Sequence, residues 1–247
     1  YSENDDSSPD NKIFDYKSTE AENKLRYEYD MKFGNYGVKF GGGINYAVYT
    51  NQTFRKFFTD SEGSVDINYD SEIDMFAYGL FAQLSRSFIN NRLALSFGVR
   101  TDANNYSSEM SNMLNQLSPR LAASFLITDR WSVNFNTGRY FQRPAYTTMG
   151  FRNNDGELVN KTNGLKYIYN DQVVAGFSYR PNYNFEASIE GFYKYYYDYP
   201  FSLIDSVSLA SKGADYGTYG DEAVVSINEG RAVGAELFVK GQIFNDL

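Results

Sequence analysis

The chain has 247 residues, with 23 Lys and Arg against 31 Asp and Glu, a net charge of -8, 18% aromatic residues, and neither Cys nor His. Thiol nucleophiles, Ser-His-Asp triads, disulfides and zinc sites of the usual nitrogen and sulfur type are therefore excluded, and an acidic, dispersed charge argues against nucleic acid as a partner. No run of about 20 apolar residues offers a transmembrane helix, while 23 Tyr and 20 Phe against one Trp suit a surface that meets both water and an apolar phase.

Residues 1–17 are polar and are expected to form a surface loop. From about residue 18 the chain alternates with a period of two, the pattern of a half-buried strand. Leu25, Tyr27, Tyr29, Met31 and Phe33 alternate with Lys24, Arg26, Glu28 and Lys32, and Tyr36, Val38, Phe40, Ile44 and Tyr46 with Gly37, Lys39 and Asn45. Phe76 to Leu84, Leu93 to Val99, Leu117 to Ile127 and Trp131 to Phe135 repeat the pattern, as do Val173 to Tyr179 and Val233 to Ile243. The longest alternation runs from Tyr183 to Tyr199, with Phe185, Ala187, Ile189, Tyr193 and Tyr195 on one side and Glu186, Glu190 and Lys194 on the other. Nine long strands are expected, longer than the usual 5–6 residues or so.

The connections alternate in length. Short turns fall at Gly34-Asn35, Asn90-Asn91, Asp129-Arg130 and Pro181-Asn182, and long polar loops near 51–70, 108–115, 143–165 and 200–227. Short turns at one end and long loops at the other are the signature of a transmembrane β-barrel, with apolar faces toward lipid and charged faces toward the lumen. Soluble antiparallel sheets share the alternation, but here Tyr and Phe collect near strand ends, as an interfacial girdle requires. The expected fold is all-β, an antiparallel transmembrane β-barrel over 18–247. Single-chain bacterial barrels have an even number of strands, so nine would be part of a larger barrel with two unpaired edges.

Ser118-Pro119-Arg120-Leu121, Gly138-Arg139-Tyr140-Phe141-Gln142-Arg143-Pro144, Leu165-Lys166, Glu190 to Tyr196 and, most specifically, Asn228-Glu229-Gly230-Arg231-Ala232-Val233-Gly234-Ala235-Glu236-Leu237 stand in the order found along TonB-dependent outer-membrane receptors. The chain resembles the barrel of that family from about residue 18 onward. The resemblance implies a barrel of about 22 strands closed by an N-terminal plug, in the bacterial outer membrane, that binds a scarce nutrient at the surface and imports it actively. The implied partners are outer-membrane lipid, the plug domain of the same parent chain and, through the plug, the TonB energy-transducing complex; a surface lipoprotein is a further candidate. Plug and TonB box lie outside these 247 residues, which are expected to be a middle to late barrel segment. A passive porin or adhesin barrel is the alternative, and a soluble carbohydrate-binding module the next.

The expected lumen-facing, plug-facing charges are Arg100, Asp102, Arg120, Glu186, Glu190, Lys194, Glu236 and Lys240. Ion pairing with a plug or across strands accounts for them better than a transport path does. Glu186 and Glu190 are about 13 Å apart along a strand, beyond the window of roughly 5–9.5 Å for paired glycosidase carboxylates, so no enzyme activity and no catalytic residue is expected. Asn153-Asn154-Asp155-Gly156-Glu157 reads as a turn and not a calcium loop; no metal and no cofactor is expected. Ligand contacts are expected from loop bases and tips, namely Tyr140, Gln142, Arg143, Tyr146, Tyr216 and Tyr219, whose rings could stack on a sugar or a metal chelate.

Overall fold

The computed structural model describes residues 12–59, 63–212 and 220–241. Nine strands form one sheet in the order β1 to β9, each antiparallel to the next: β1 Phe14–Phe33, β2 Tyr36–Thr59, β3 Gly63–Phe88, β4 Leu93–Asn104, β5 Ser118–Leu126, β6 Trp131–Gln142, β7 Ile168–Asn182, β8 Phe185–Ser202 and β9 Val224–Gly241. Among the described residues the sheet does not close on itself, and β1 and β9 are its edges.

Register decides which side chains share a face. One row runs Phe88, Leu93, Phe125, Val133, Phe177, Ile189 and Leu237 across seven strands. A second runs Met31, Val38, Leu84, Phe97 and Leu121. These side chains are not core: Phe97, on an interior strand, is 55% exposed, and Leu80 58%. Water would not tolerate so continuous an apolar band, but hydrocarbon does. The opposite face carries the row Gly98, Arg120, Gly138, Gln172, Lys194 and Ala232, and a second row Ser124, Asn134, Gly176, Glu190 and Glu236. Among the described residues no helix is long and apolar enough to cross a membrane.

The tight turns sit together at one end. Gly34 takes φ 57°, and Asn90 and Asn91 take 51° and 66°, the left-handed conformation that Gly and Asn reach most readily. The last turn falls at Tyr183-Asn184, two residues beyond the expected Pro181-Asn182, because β7 runs through a register shift to Asn182, whose side-chain oxygen accepts from the Asn184 amide at 3.0 Å.

Two expected loops are strand instead. The segment 51–70 was expected to be a loop, yet β2 continues to Thr59 and β3 begins at Gly63, paired without a slip from Tyr36↔Arg86 to Thr59↔Gly63. The surface loop expected over 1–17 gives way at Phe14 to β1, which pairs with β2 as far as Arg55. The alternation changes sides there: the apolar residues of the band are Tyr46, Phe76 and Tyr78, whereas those of the arm are Tyr49, Tyr69, Ile73 and Met75, one position out of step and on the opposite face. Above the apolar band Thr50, Gln52, Asp70 and Glu72 meet water, while Asn51, Thr53 and Ser71 on the other side are buried. Backbone pairing continues regardless of side-chain polarity.

The buried core lies at the loop end, on the polar-face side of the sheet. Tyr49, Ile73 and Met75 of the β2–β3 arm pack with Tyr106 and Met110 from the β4–β5 connection, Tyr146, Met149, Leu165 and Tyr167 from the β6–β7 connection, Leu209 from the β8–β9 connection and Val224 at the start of β9. Short helices shape these connections: α1 Ser108–Ser111, α2 Tyr146–Gly150 and α3 Val159–Thr162. Three loops and one hairpin arm thus share a single apolar cluster.

Candidate functional site

The polar face divides into a loop-side and a turn-side region. On the loop side Glu22 of β1 is a hub. Its carboxylate accepts from the Tyr146 hydroxyl at 2.8 Å, from Arg143 Nη2 at 3.4 Å and from Asn45 Nδ2 at 3.4 Å, and it pairs with Lys24. Lys24 and Tyr146 hold the Glu22 carboxyl at a pKa of about 2. The Arg143 guanidinium lies 4.2 Å from the centre of the Tyr146 ring, which stacks on Tyr49 at 5.4 Å. Burial, with the Glu22 charge beside it, pushes the Tyr146 hydroxyl up to about 12. Tyr146, expected as an exposed ligand contact, is only 7% exposed and ties the β6–β7 loop to the sheet.

Arg143 also lines a cleft of about 400 Å³ with Lys24, Arg26, Arg100, Asp102 and Arg120. Arg100 makes a two-pronged bond to Asp102, 2.7 Å at each oxygen. Arg120 differs: its Nε donates to Ser118 Oγ at 3.3 Å and its guanidinium lies 4.3 Å from the Tyr140 ring, but it has no ion pair among the described residues. Its stem lies over Gly138, where a Cβ would come within 3.0 Å of Arg120 Cγ, so a glycine is what lets the arginine lie flat. Tyr140 therefore faces Arg120, and Gln142 is exposed at the loop base. Tyr216 and Tyr219 lie outside the described residues.

On the turn side Glu186 pairs with Arg180 at 2.6 Å, and Lys240 sits across from Glu186 on β9. Glu190 faces Glu236 directly across β8 and β9, and neither has an ion pair among the described residues. Lys194 lies 5.0 Å from the Phe192 ring and is likewise without an ion pair there. All eight charges named from the sequence thus share the face opposite the apolar rows. No group of three or more acidic side chains that could hold a metal occurs among the described residues.

The residues that sequence reasoning missed join distant loops. Asn160 of α3 is fully buried; its Nδ2 donates to the Thr148 carbonyl at 2.7 Å and the Glu222 carbonyl at 2.9 Å, and its Oδ1 accepts from the Val224 amide at 2.8 Å. Asn104 Nδ2 donates to the Tyr167 hydroxyl at 2.9 Å, and the Tyr106 hydroxyl donates to the Met149 carbonyl at 2.7 Å. Their partners are 12 to 64 residues away, and nothing local marks them.

An open, wholly antiparallel sheet with one apolar outer face and a charged inner one is a segment of membrane barrel wall. Over residues 1–246 the sequence matches the family described as TonB dependent receptor-like, beta-barrel, and the chain belongs to it. It is a piece of outer-membrane receptor barrel, as the order of its motifs led one to expect. No curated protein matches it in sequence. Among solved structures it is similar to the copper transporter OprC (TM-score 0.63, 15% identity, 97% of this chain and 38% of that one). It is also similar to the ferric enterobactin receptor PfeA of Pseudomonas aeruginosa, in its G324V mutant (0.61, 16%, 92% and 34%), and to the ferric-catecholate import receptor Fiu of E. coli K12 (0.59, 11%, 94% and 36%). The chain spans between a third and two fifths of their length.

Proposed function

We propose that this chain is wall and loop scaffold of an active importer, a receptor that binds a scarce nutrient at the cell surface and moves it inward with energy relayed by the TonB complex through a plug domain of the same parent chain. The observation that supports this reading is the pair Glu190 and Glu236, two carboxylates face to face on the polar side with no cation among the described residues. Like charges directly opposed destabilise a sheet unless something neutralises them. A plug that presents Lys or Arg to this wall would do so, and acidic groups on the same plug would answer Arg120 and Lys194. The role is binding and transport, with no catalytic residue.

Ligand contact is assigned to the rim of the β6–β7 loop, at Tyr140, Gln142 and Arg143, with Tyr216 and Tyr219 as further candidates; Tyr146 serves by holding the loop. The neighbours described as copper transporter and ferric-chelate receptors make metal ions and metal chelates the first ligands to test. Uptake by the intact parent should fall to background when the inner-membrane proton gradient is collapsed. Uptake that survives would favour a passive porin. Replacing both carboxylates with lysine (E190K and E236K together) should abolish active uptake while leaving the barrel folded; unchanged uptake would remove the plug-facing role.

A further inference from the structure

Arg86 interrupts the apolar side of the sheet. Between the Phe88 row and the Leu84 row runs a third, Tyr36, Arg86, Leu95, Ala123, Phe135 and Ala175, and Arg86 is the one charged side chain in the three. It stands two residues in from the end of β3, about 7 Å along the strand. Phe33, Tyr36, Phe88, Trp131 and Phe185 are the turn-side ends of β1, β2, β3, β6 and β8, all on the apolar face. Such a ring of aromatic side chains is an interfacial girdle, and at the short-turn end of a barrel it lies on the periplasmic side. Within it the Arg86 guanidinium is boxed between rings, 4.6 Å from the centre of Tyr36 and 4.8 Å from that of Phe88. Its Nη1 donates to the Tyr36 hydroxyl, its Nε is buried without a partner, and it has no ion pair among the described residues.

We propose that Arg86, Tyr36 and Phe88 form a binding site for the phosphate of one glycerophospholipid headgroup in the periplasmic leaflet of the outer membrane. A lone charge on a lipid-facing row is costly unless a counter-charge meets it, and the cost falls toward the interface, where headgroups lie. The described protein supplies no carboxylate to Arg86. β3 is an interior strand paired with β2 and β4, so barrel strands that join at the edges β1 and β9 do not flank Arg86. Lipid is what meets this face. A guanidinium is suited to the task, being planar, permanently charged and able to stack on rings while its edge donates in parallel to two phosphate oxygens. The rings fix its plane through cation–π contact, and the Tyr36 hydroxyl takes one Nη1 hydrogen, which leaves the other Nη hydrogens to the phosphate. Zwitterionic and anionic phospholipids carry the same phosphodiester, so the site selects the phosphate and not the net charge of the lipid.

The test takes the intact receptor in a neutral maltoside detergent, titrates it with dioleoyl phosphatidylethanolamine, dioleoyl phosphatidylglycerol or dioleoylglycerol, and counts the retained lipids by native mass spectrometry. Both phospholipids should leave one molecule bound beyond the background set by dioleoylglycerol, which has the same chains and no phosphate. Arg86→Gln should weaken that retention several-fold, and Arg86→Lys, which keeps the charge without the stacking plane, by less. Should Arg86→Gln fail to fold, Arg86→Met, apolar and of similar length, supplies the comparison. Retention unchanged in Arg86→Gln or Arg86→Met, or dioleoylglycerol retained as well as the phospholipids, would overturn the proposal. So would displacement of the phospholipid by equimolar inorganic phosphate, which would make the site one for a free anion. None of these readouts depends on active import, so that reading can fail while this one stands.

Discussion

At Glu22 one carboxylate receives the Tyr146 hydroxyl, Arg143, Asn45 and Lys24, so a single side chain on the first strand holds a loop more than 120 residues away. Glu22→Gln removes the charge that these four donors share; the intact receptor should lose about 1–2 kcal/mol of stability, read by denaturant unfolding. The pH dependence has a definite sign. The folded-state pKa is lowered from 4.5 to about 2, so the stabilisation is present above the unfolded value and fades as pH falls from near 4.5 through about 2. In Glu22→Gln that acid-side loss should shrink. Asp221 acts in the opposite direction: its raised pKa means that protonation favours the folded state. Gly220 gives a sharper test. It has φ +93°, and a Cβ there would collide with the Thr148 hydroxyl, so Gly220→Ala should cost about 1–3 kcal/mol in the same measurement. None of these roles is legible in sequence, where Glu22 is one acidic residue in a polar stretch and Gly220 one glycine of 20. What was legible was residue type and, for the strand charges, face: Arg120 reads as lumen-facing and lies on the polar face, where it meets Tyr140, expected only as a loop-base ligand contact, whereas Tyr146 read as exposed and is buried.

Strands are the elements on which pattern and structure agree best, because register leaves no freedom once one face is apolar. Leu84 and Gln83 are adjacent on β3 and point to opposite faces, in rows with Phe97 and with Gly98 respectively. Leu84→Arg should cost about 2–4 kcal/mol near mid-membrane while Gln83→Arg costs far less, read as the folded fraction recovered in lipid vesicles. Equal effects would mean that the Leu84 face does not meet lipid. The agreement fails where the apolar phase ends. Above Tyr46 and Phe76 the apolar positions of the β2–β3 arm move to the opposite face, at Tyr49, Tyr69, Ile73 and Met75, so a single apolar face followed along the strand is lost there. Outside the membrane the strand persists because its partner strand satisfies the backbone, a tertiary cause invisible in either strand alone.

For the whole molecule, the open edges at β1 and β9 carry the consequence. Unpaired strand edges do not survive in hydrocarbon, so the remainder of the barrel must pair with both. The 247 residues produced alone should aggregate or bind detergent without reaching a single stable species, whereas the intact parent should fold; a monodisperse chain in plain buffer would contradict a membrane wall. The sequence by itself determined the class: alternation, turn chemistry and motif order are local, and they suffice for nine antiparallel strands, the lipid-facing side and the receptor family. Only the tertiary structure decided how the loops are held, through Glu22, Asn160 and the shared cluster of Tyr49, Tyr146 and Met149. Those contacts join residues far apart in the chain, and their energy comes from burial and polar satisfaction that exist only once the strands have set the loops side by side.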